Sequence, residues 1–149
     1  MFARGAWLAL LSVALVGCGE GDAELSPSCV EGPEAIERAL AAAPDTVALH
    51  DGTRLSQCVS TAATAADLQE FGAVATLVAE RLEQRARTEP VAALQLGYLV
   101  GAARRGAGRA NGVNVELVRR FERSAALDDP TPAAERALVR GIDAGRARG

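Results

Sequence analysis

The chain has 149 residues, a formal net charge of −3 and a composition that is 49% hydrophobic but only 3% aromatic. That length makes one domain able to bury a core and leaves no room for two. The mild charge, the scarcity of stacking aromatics and the lack of any motif that reads DNA or RNA speak against a nucleic-acid partner, and the use of Arg for all 16 basic residues fits a coding bias more than a recognition surface.

Arg4 precedes an apolar run from Ala6 to Val16 broken only by Ser12. Eleven residues fall well short of the roughly 20 that a membrane-spanning helix takes, so the run reads as the apolar part of a signal peptide. It closes on Leu15-Val16-Gly17-Cys18. This stretch resembles the lipobox of bacterial lipoproteins, and the resemblance covers residues 1–18 alone. It implies removal of residues 1–17, S-diacylglyceration of Cys18 with acylation of the new N-terminus, and a place in the cell envelope, lipid-anchored to a membrane on the outer side of the cytoplasmic membrane. An ordinary secretory signal in which Cys18 falls by chance is the alternative. The 132 residues left would carry fifteen Arg against nineteen acids, a net of −4.

Residues 18–32 combine Gly, acids, Ser and Pro with little to bury, and read as a flexible acidic tether to a single helical domain over 33–149. Pro33 suits a first helical turn, and Ile36, Ala39, Leu40 and Ala43 follow at helical spacing until Pro44. Thr46 to Leu49, a turn at His50-Asp51-Gly52, and Thr53 to Val59 then predict a short β-hairpin with Gly52 left-handed and Leu49 opposite Thr53.

Thr64 to Asp67 has the spacing of a capping box and opens the longest helical pattern, with Leu68, Phe71, Ala75, Val78 and Leu82 along one seam. This is the expected central helix. Thr88-Glu89-Pro90 stops it and starts an antiparallel neighbour whose Ala93, Gly97 and Gly101 share one stripe. Two glycines inside a helix cost about 1 kcal/mol each against Ala, which points to another backbone pressed there. Gly106 to Gly112 reads as a loop, Leu117, Val118, Phe121 and Ala125 as the inner face of a fourth helix, and Ala134, Leu138 and Ile142 as that of a last one that frays from Gly145. The expected fold is thus mainly α: a small bundle of about five helices with the hairpin before the longest. Leu68, Phe71, Val78, Leu82, Leu94, Tyr98, Val118, Phe121 and Leu138 are its expected core.

With Cys18 given to lipid, Cys29 and Cys58 remain as an even pair in an exported, oxidising setting, so a disulfide is expected. Two buried apolar thiols are the alternative. A single His and two distant cysteines make a poor zinc set, and no metal or cofactor is expected.

For chemistry, His50 beside Asp51 has the composition of a general base with its carboxylate partner. Adjacent turn residues usually point apart, and no nucleophile motif accompanies them, so no enzyme is expected. The pairs Glu34/Glu37 and Glu80/Glu83 read as solvated helix charge, and Tyr98 as a core residue. The basic cluster Arg104, Arg105, Arg109, Arg119, Arg120 and Arg123 reads as helix-end and surface charge, with an anion-facing patch as the alternative. The functional expectation is a membrane-tethered envelope lipoprotein acting as a protein interaction or structural module toward an unknown envelope partner. The alternative is a binder of an anionic small molecule or envelope polymer through the Arg cluster.

Overall fold

The computed structural model describes residues 24–108 and 114–149, so the segment with Cys18 and residues 109–113, which hold most of the expected loop from Gly106 to Gly112, lie outside the described residues. Among the described residues a 3₁₀ turn, Pro27–Val30, is followed by six α-helices: α1 (Pro33–Leu40), α2 (Leu55–Thr61), α3 (Ala65–Ala86), α4 (Pro90–Ala107), α5 (Val115–Ser124) and α6 (Pro132–Arg148). Proline occupies the first turn of α1, α4 and α6, where its missing N–H costs nothing. The capping box at α3 forms: the Thr64 hydroxyl accepts from the Asp67 amide at 3.1 Å, and the Asp67 carboxylate accepts from the Thr64 amide at 3.0 Å. Thr131 caps α6 through its hydroxyl alone, which accepts from the Ala134 amide at 3.2 Å.

The expected β-hairpin is not there. Its turn is: the Leu49 amide donates to the Thr53 carbonyl at 2.8 Å, and Gly52 has φ of 86°. Pairing then stops at one antiparallel bridge, Ala48 to Arg54, because the chain enters α2 at Leu55. In a strand, Leu55 and Val59 would share one face while Cys58 and Ser56 took the other. In the helix, Leu55, Cys58 and Val59 fall at i, i+3 and i+4 and are all buried together. The Gln57 side chain reaches back to accept from the Arg54 amide at 2.8 Å and seals the helix start.

The stretch read as a tether also differs from Leu25 onward, since Leu25 packs against the core and Cys29 is completely buried. Cys29 is bonded to Cys58, with Cα atoms 5.7 Å apart, which fixes the 3₁₀ turn to α2.

Although α3 is longest, α4 is the central helix. It packs on α1, α2, α3, α5 and most extensively on α6, and Leu96 to Ala103 are buried without a break. A helix that is apolar all round must lie inside. Around it Phe71, Val78, Leu82, Tyr98 and Phe121 are buried as expected, while Leu68, Leu94, Val118 and Leu138 are partly buried against the same cluster.

The α4–α6 contact is made by backbone. A methyl group at Gly97 would strike the Leu138 carbonyl, and one at Gly101 the Ile142 carbonyl. In return, a methyl at Gly141 would strike the Leu94 carbonyl, and one at Gly145 the Tyr98 carbonyl. Partners rise together along both helices, so α4 and α6 run parallel. The stripe Ala93, Gly97, Gly101 thus has a matching stripe in Ala137, Gly141, Gly145, and α6 continues past Gly145 to Arg148 instead of fraying there.

Gly97→Ala and Gly141→Ala are predicted to lower stability by about 3 kcal/mol or more, at or beyond the usual overpacking cost because the obstacle is backbone. Gly72→Ala meets only the Leu117 Cδ1 at 3.4 Å and should gain up to about 1 kcal/mol from helix propensity. Equilibrium denaturation reads the contrast, and a stabilised Gly97→Ala would place the helices farther apart. Reducing the disulfide, whose cysteines are 29 residues apart, should cost about 3 to 4 kcal/mol through loop-closure entropy. An unchanged urea midpoint in reductant would count against that figure.

Candidate functional site

The turn after Leu49 brings together the groups of the suspected acid–base pair, and its bonding shows what they do. Asp51 Oδ1 accepts from the Thr53 amide at 2.9 Å, and Oδ2 accepts from the Thr53 hydroxyl at 2.8 Å and the Ser26 hydroxyl at 2.6 Å. These donors hold its carboxyl well below the usual carboxylate range, the Ser26 hydroxyl foremost, then Ser28 and Thr53. His50 points elsewhere, its Nδ1 lying 3.1 Å from Glu31 with the side chain 70% exposed. Asp51 therefore orients no imidazole. It ties the turn to the residues before the 3₁₀ helix.

Tyr98 is fully buried, and its hydroxyl accepts from the Val47 amide at 3.0 Å. It satisfies a backbone donor that burial would otherwise leave unpaired. His50, Asp51 and Tyr98 are thus committed to three separate sets of partners. The small cavity beside His50, about 220 Å³, is lined by Ala35, Arg38, Ala39 and Ala48, none of them a nucleophile.

The Arg cluster is largely consumed inside the fold. Arg104 on α4 makes a two-nitrogen contact with Glu122 on α5, at 2.7 and 2.8 Å. Arg105 donates to the Arg146 and Ala147 carbonyls, both at 2.8 Å. Because α4 and α6 are parallel, their negative C-terminal ends lie together, and this one guanidinium serves both. Arg120 and Arg123 share Glu116, at 3.8 and 3.4 Å. Arg119 is exposed and lines a shallow depression with Glu116, Glu122 and Arg123, where the charges balance. Arg109 and Cys18 lie outside the described residues. The described part of the cluster therefore does not assemble into an anion pocket.

The two acid pairs have different surroundings. Glu34 and Glu37 clamp Arg81 at 3.1 and 3.3 Å and bind α1 to α3. The Glu34 carboxyl is held below its ordinary range by its own backbone amide first and by Arg81 second. Glu80 and Glu83 line a groove with Gln84, Arg87, Ala126, Leu127 and Asp128. Among the described residues there is no group of three or more His, Cys, Asp or Glu able to hold a metal ion.

The surface that sequence reasoning passed over lies on α6. Pro90, Ala133, Glu135, Arg136, Val139 and Arg140 line an open, mainly apolar groove of about 620 Å³. Its signal was present as Arg136, Val139 and Arg140 at i, i+3 and i+4, an outer face that the search for an inner one ignored. No family model, curated protein or solved structure matches the chain.

Asp51→Asn is expected to destabilise the protein at neutral pH. The folded-state pKa of Asp51 lies below its unfolded value, so its contribution is complete above the ordinary carboxylate range near pH 4 and disappears as pH falls through the folded value. The stability gap between the wild type and the variant should therefore close on acidification below about pH 4. A gap unchanged between neutral pH and pH 3 would mean that the Ser26 and Thr53 bonds do not depend on the charge.

Proposed function

We propose that the chain is an exported lipoprotein whose helical domain, held at a membrane surface through Cys18, docks or braces another envelope protein. The observation that carries this reading is the disulfide. Cys29 and Cys58 are bonded to each other and fully buried, as suits an oxidising compartment, and their pairing leaves Cys18 as the odd cysteine at the end of an apolar run. The Leu15-Val16-Gly17-Cys18 resemblance gives that cysteine a use. Among the described residues no helix is long and apolar enough to cross a membrane, so attachment on this reading depends on acyl chains. Each buried CH₂ contributes about 0.8 kcal/mol, and two or more chains anchor stably where one does so only weakly.

The reading as an interaction module draws on the exposed apolar side chains of Val91 and Val139 and on the groove lined by Pro90 and Val139. A binder acting through the Arg cluster has less behind it, because Arg104, Arg105, Arg120 and Arg123 already have internal partners.

Cys18→Ala should move the protein from the membrane fraction to the soluble one and remove the lipid mass from the intact protein. A variant that stayed with membranes through a high-salt wash, lighter than the wild type by the Cys-to-Ala difference alone, would overturn the reading.

A further inference from the structure

The groove on α6 has a chemistry that the rest of the fold leaves unused. Val139 is 53% exposed, and Val91, which follows Pro90 in the first turn of α4, is 69% exposed; they are the two most exposed large apolar residues among those described. Single exposed valines are ordinary. Here Val139 shares an open apolar groove with Pro90 and Ala133.

Charge narrows the choice of occupant. Arg136 and Arg140 stand one helical turn apart on α6, a like-charged spacing that disfavours the isolated helix. Arg81, Arg85, Arg104, Arg120 and Arg123 each lie within 4 Å of a carboxylate. Among the described residues neither Arg136 nor Arg140 does, a state they share with Arg38, Arg54, Arg87, Arg105, Arg119, Arg146 and Arg148, and Glu135 is the one acid in the groove's lining. The surface is thus an apolar floor beside a net positive edge. Its openness suits a chain laid across it better than a small molecule, whose sites enclose most of the ligand surface.

We propose that this groove docks an acidic, aliphatic peptide segment of a partner protein. One large apolar side chain of the segment sits against Pro90, Ala133 and Val139, and neighbouring carboxylates face Arg136 and Arg140. The assignment rests on the interaction-module reading above and adds the face and the chemistry of the partner to it.

The test uses the full chain in detergent micelles and two fluorescent twelve-residue peptides, one alternating Leu with Asp, the other with Lys in place of each Asp. The Asp peptide should bind at least about tenfold tighter than the Lys peptide and weaken as salt is raised. Arg136→Glu with Arg140→Glu should reverse the preference between the two, and Val139→Asp should remove binding of both. All three positions are exposed, and an unchanged Tm checks that each variant is folded. Equal binding of the two peptides, no binding of either, or an Asp peptide indifferent to the double reversal would overturn the proposal. So would a dimer of the chain broken by Val139→Asp, since that gives the groove to a second copy. None of these results depends on where the Cys18→Ala variant fractionates, so the groove and the lipid anchor can fail separately.

Discussion

The contact between the α4 and α6 backbones is what the other helices are arranged around. Four glycines let two helices approach until carbonyl oxygens occupy the space where side chains would begin. The gain is dispersion over a long, close interface with no side-chain entropy lost at the contact. A parallel pair also sets like ends of two helix dipoles side by side, which is unfavourable. Close packing offsets this along the helices, and Arg105 relieves it at the negative end. Parallel neighbours further require a return path, which α5 supplies. With α6 on one side and α1, α2, α3 and α5 around the rest, α4 has no face left for water between Leu96 and Ala103. An Ala-rich chain with few aromatics can form a core this way because thin side chains permit thin spacing.

The N-terminal part is attached by different means. The 3₁₀ turn, α1 and α2 are short and could not persist alone. They are held by one covalent bond to α2, by Arg81 gripping Glu34 and Glu37, by Asp51 gathering Ser26 and Thr53, and by the Tyr98 hydroxyl meeting Val47 from inside. The groups with the most chemical promise in the sequence are thus fasteners. An Asp that accepts three hydrogen bonds makes a good anchor and a poor partner for a histidine.

How far the sequence could be read depended on whether a signal was local. The capping box at Thr64, the left-handed Gly52 and the buried Phe71, Tyr98 and Phe121 follow from spacing within a few residues. The stripe at Gly97 and Gly101 was legible because glycine inside an apolar helix needs a reason. Its counterpart at Gly141 and Gly145 has the same spacing, but Gly145 stood among other terminal glycines and read as fraying. Thr53 to Val59 failed because Leu55 and Val59 satisfy a period of two or of four, and only the burial of Cys58 beside them decides for the helix. Helix-local charge was legible, as the pairing of Arg120 with Glu116 one turn away shows, but the distant partners of the arginines were not. Arg104 finds its carboxylate 18 residues away and Arg105 its carbonyls 41 and 42 away, and no pattern in the chain encodes those meetings.

The bond between Cys29 and Cys58 also makes a closed ring of the chain between them, with the turn at His50, Asp51 and Gly52 exposed at its rim. Polar turn tips of this kind are where proteases cut. One cut there opens the ring but separates nothing, since both arms stay joined through sulfur. A nicked molecule would therefore keep every residue, gaining only the water of the hydrolysed peptide bond, until the disulfide is reduced, and whatever precedes Cys29 would remain fastened to the helices that follow.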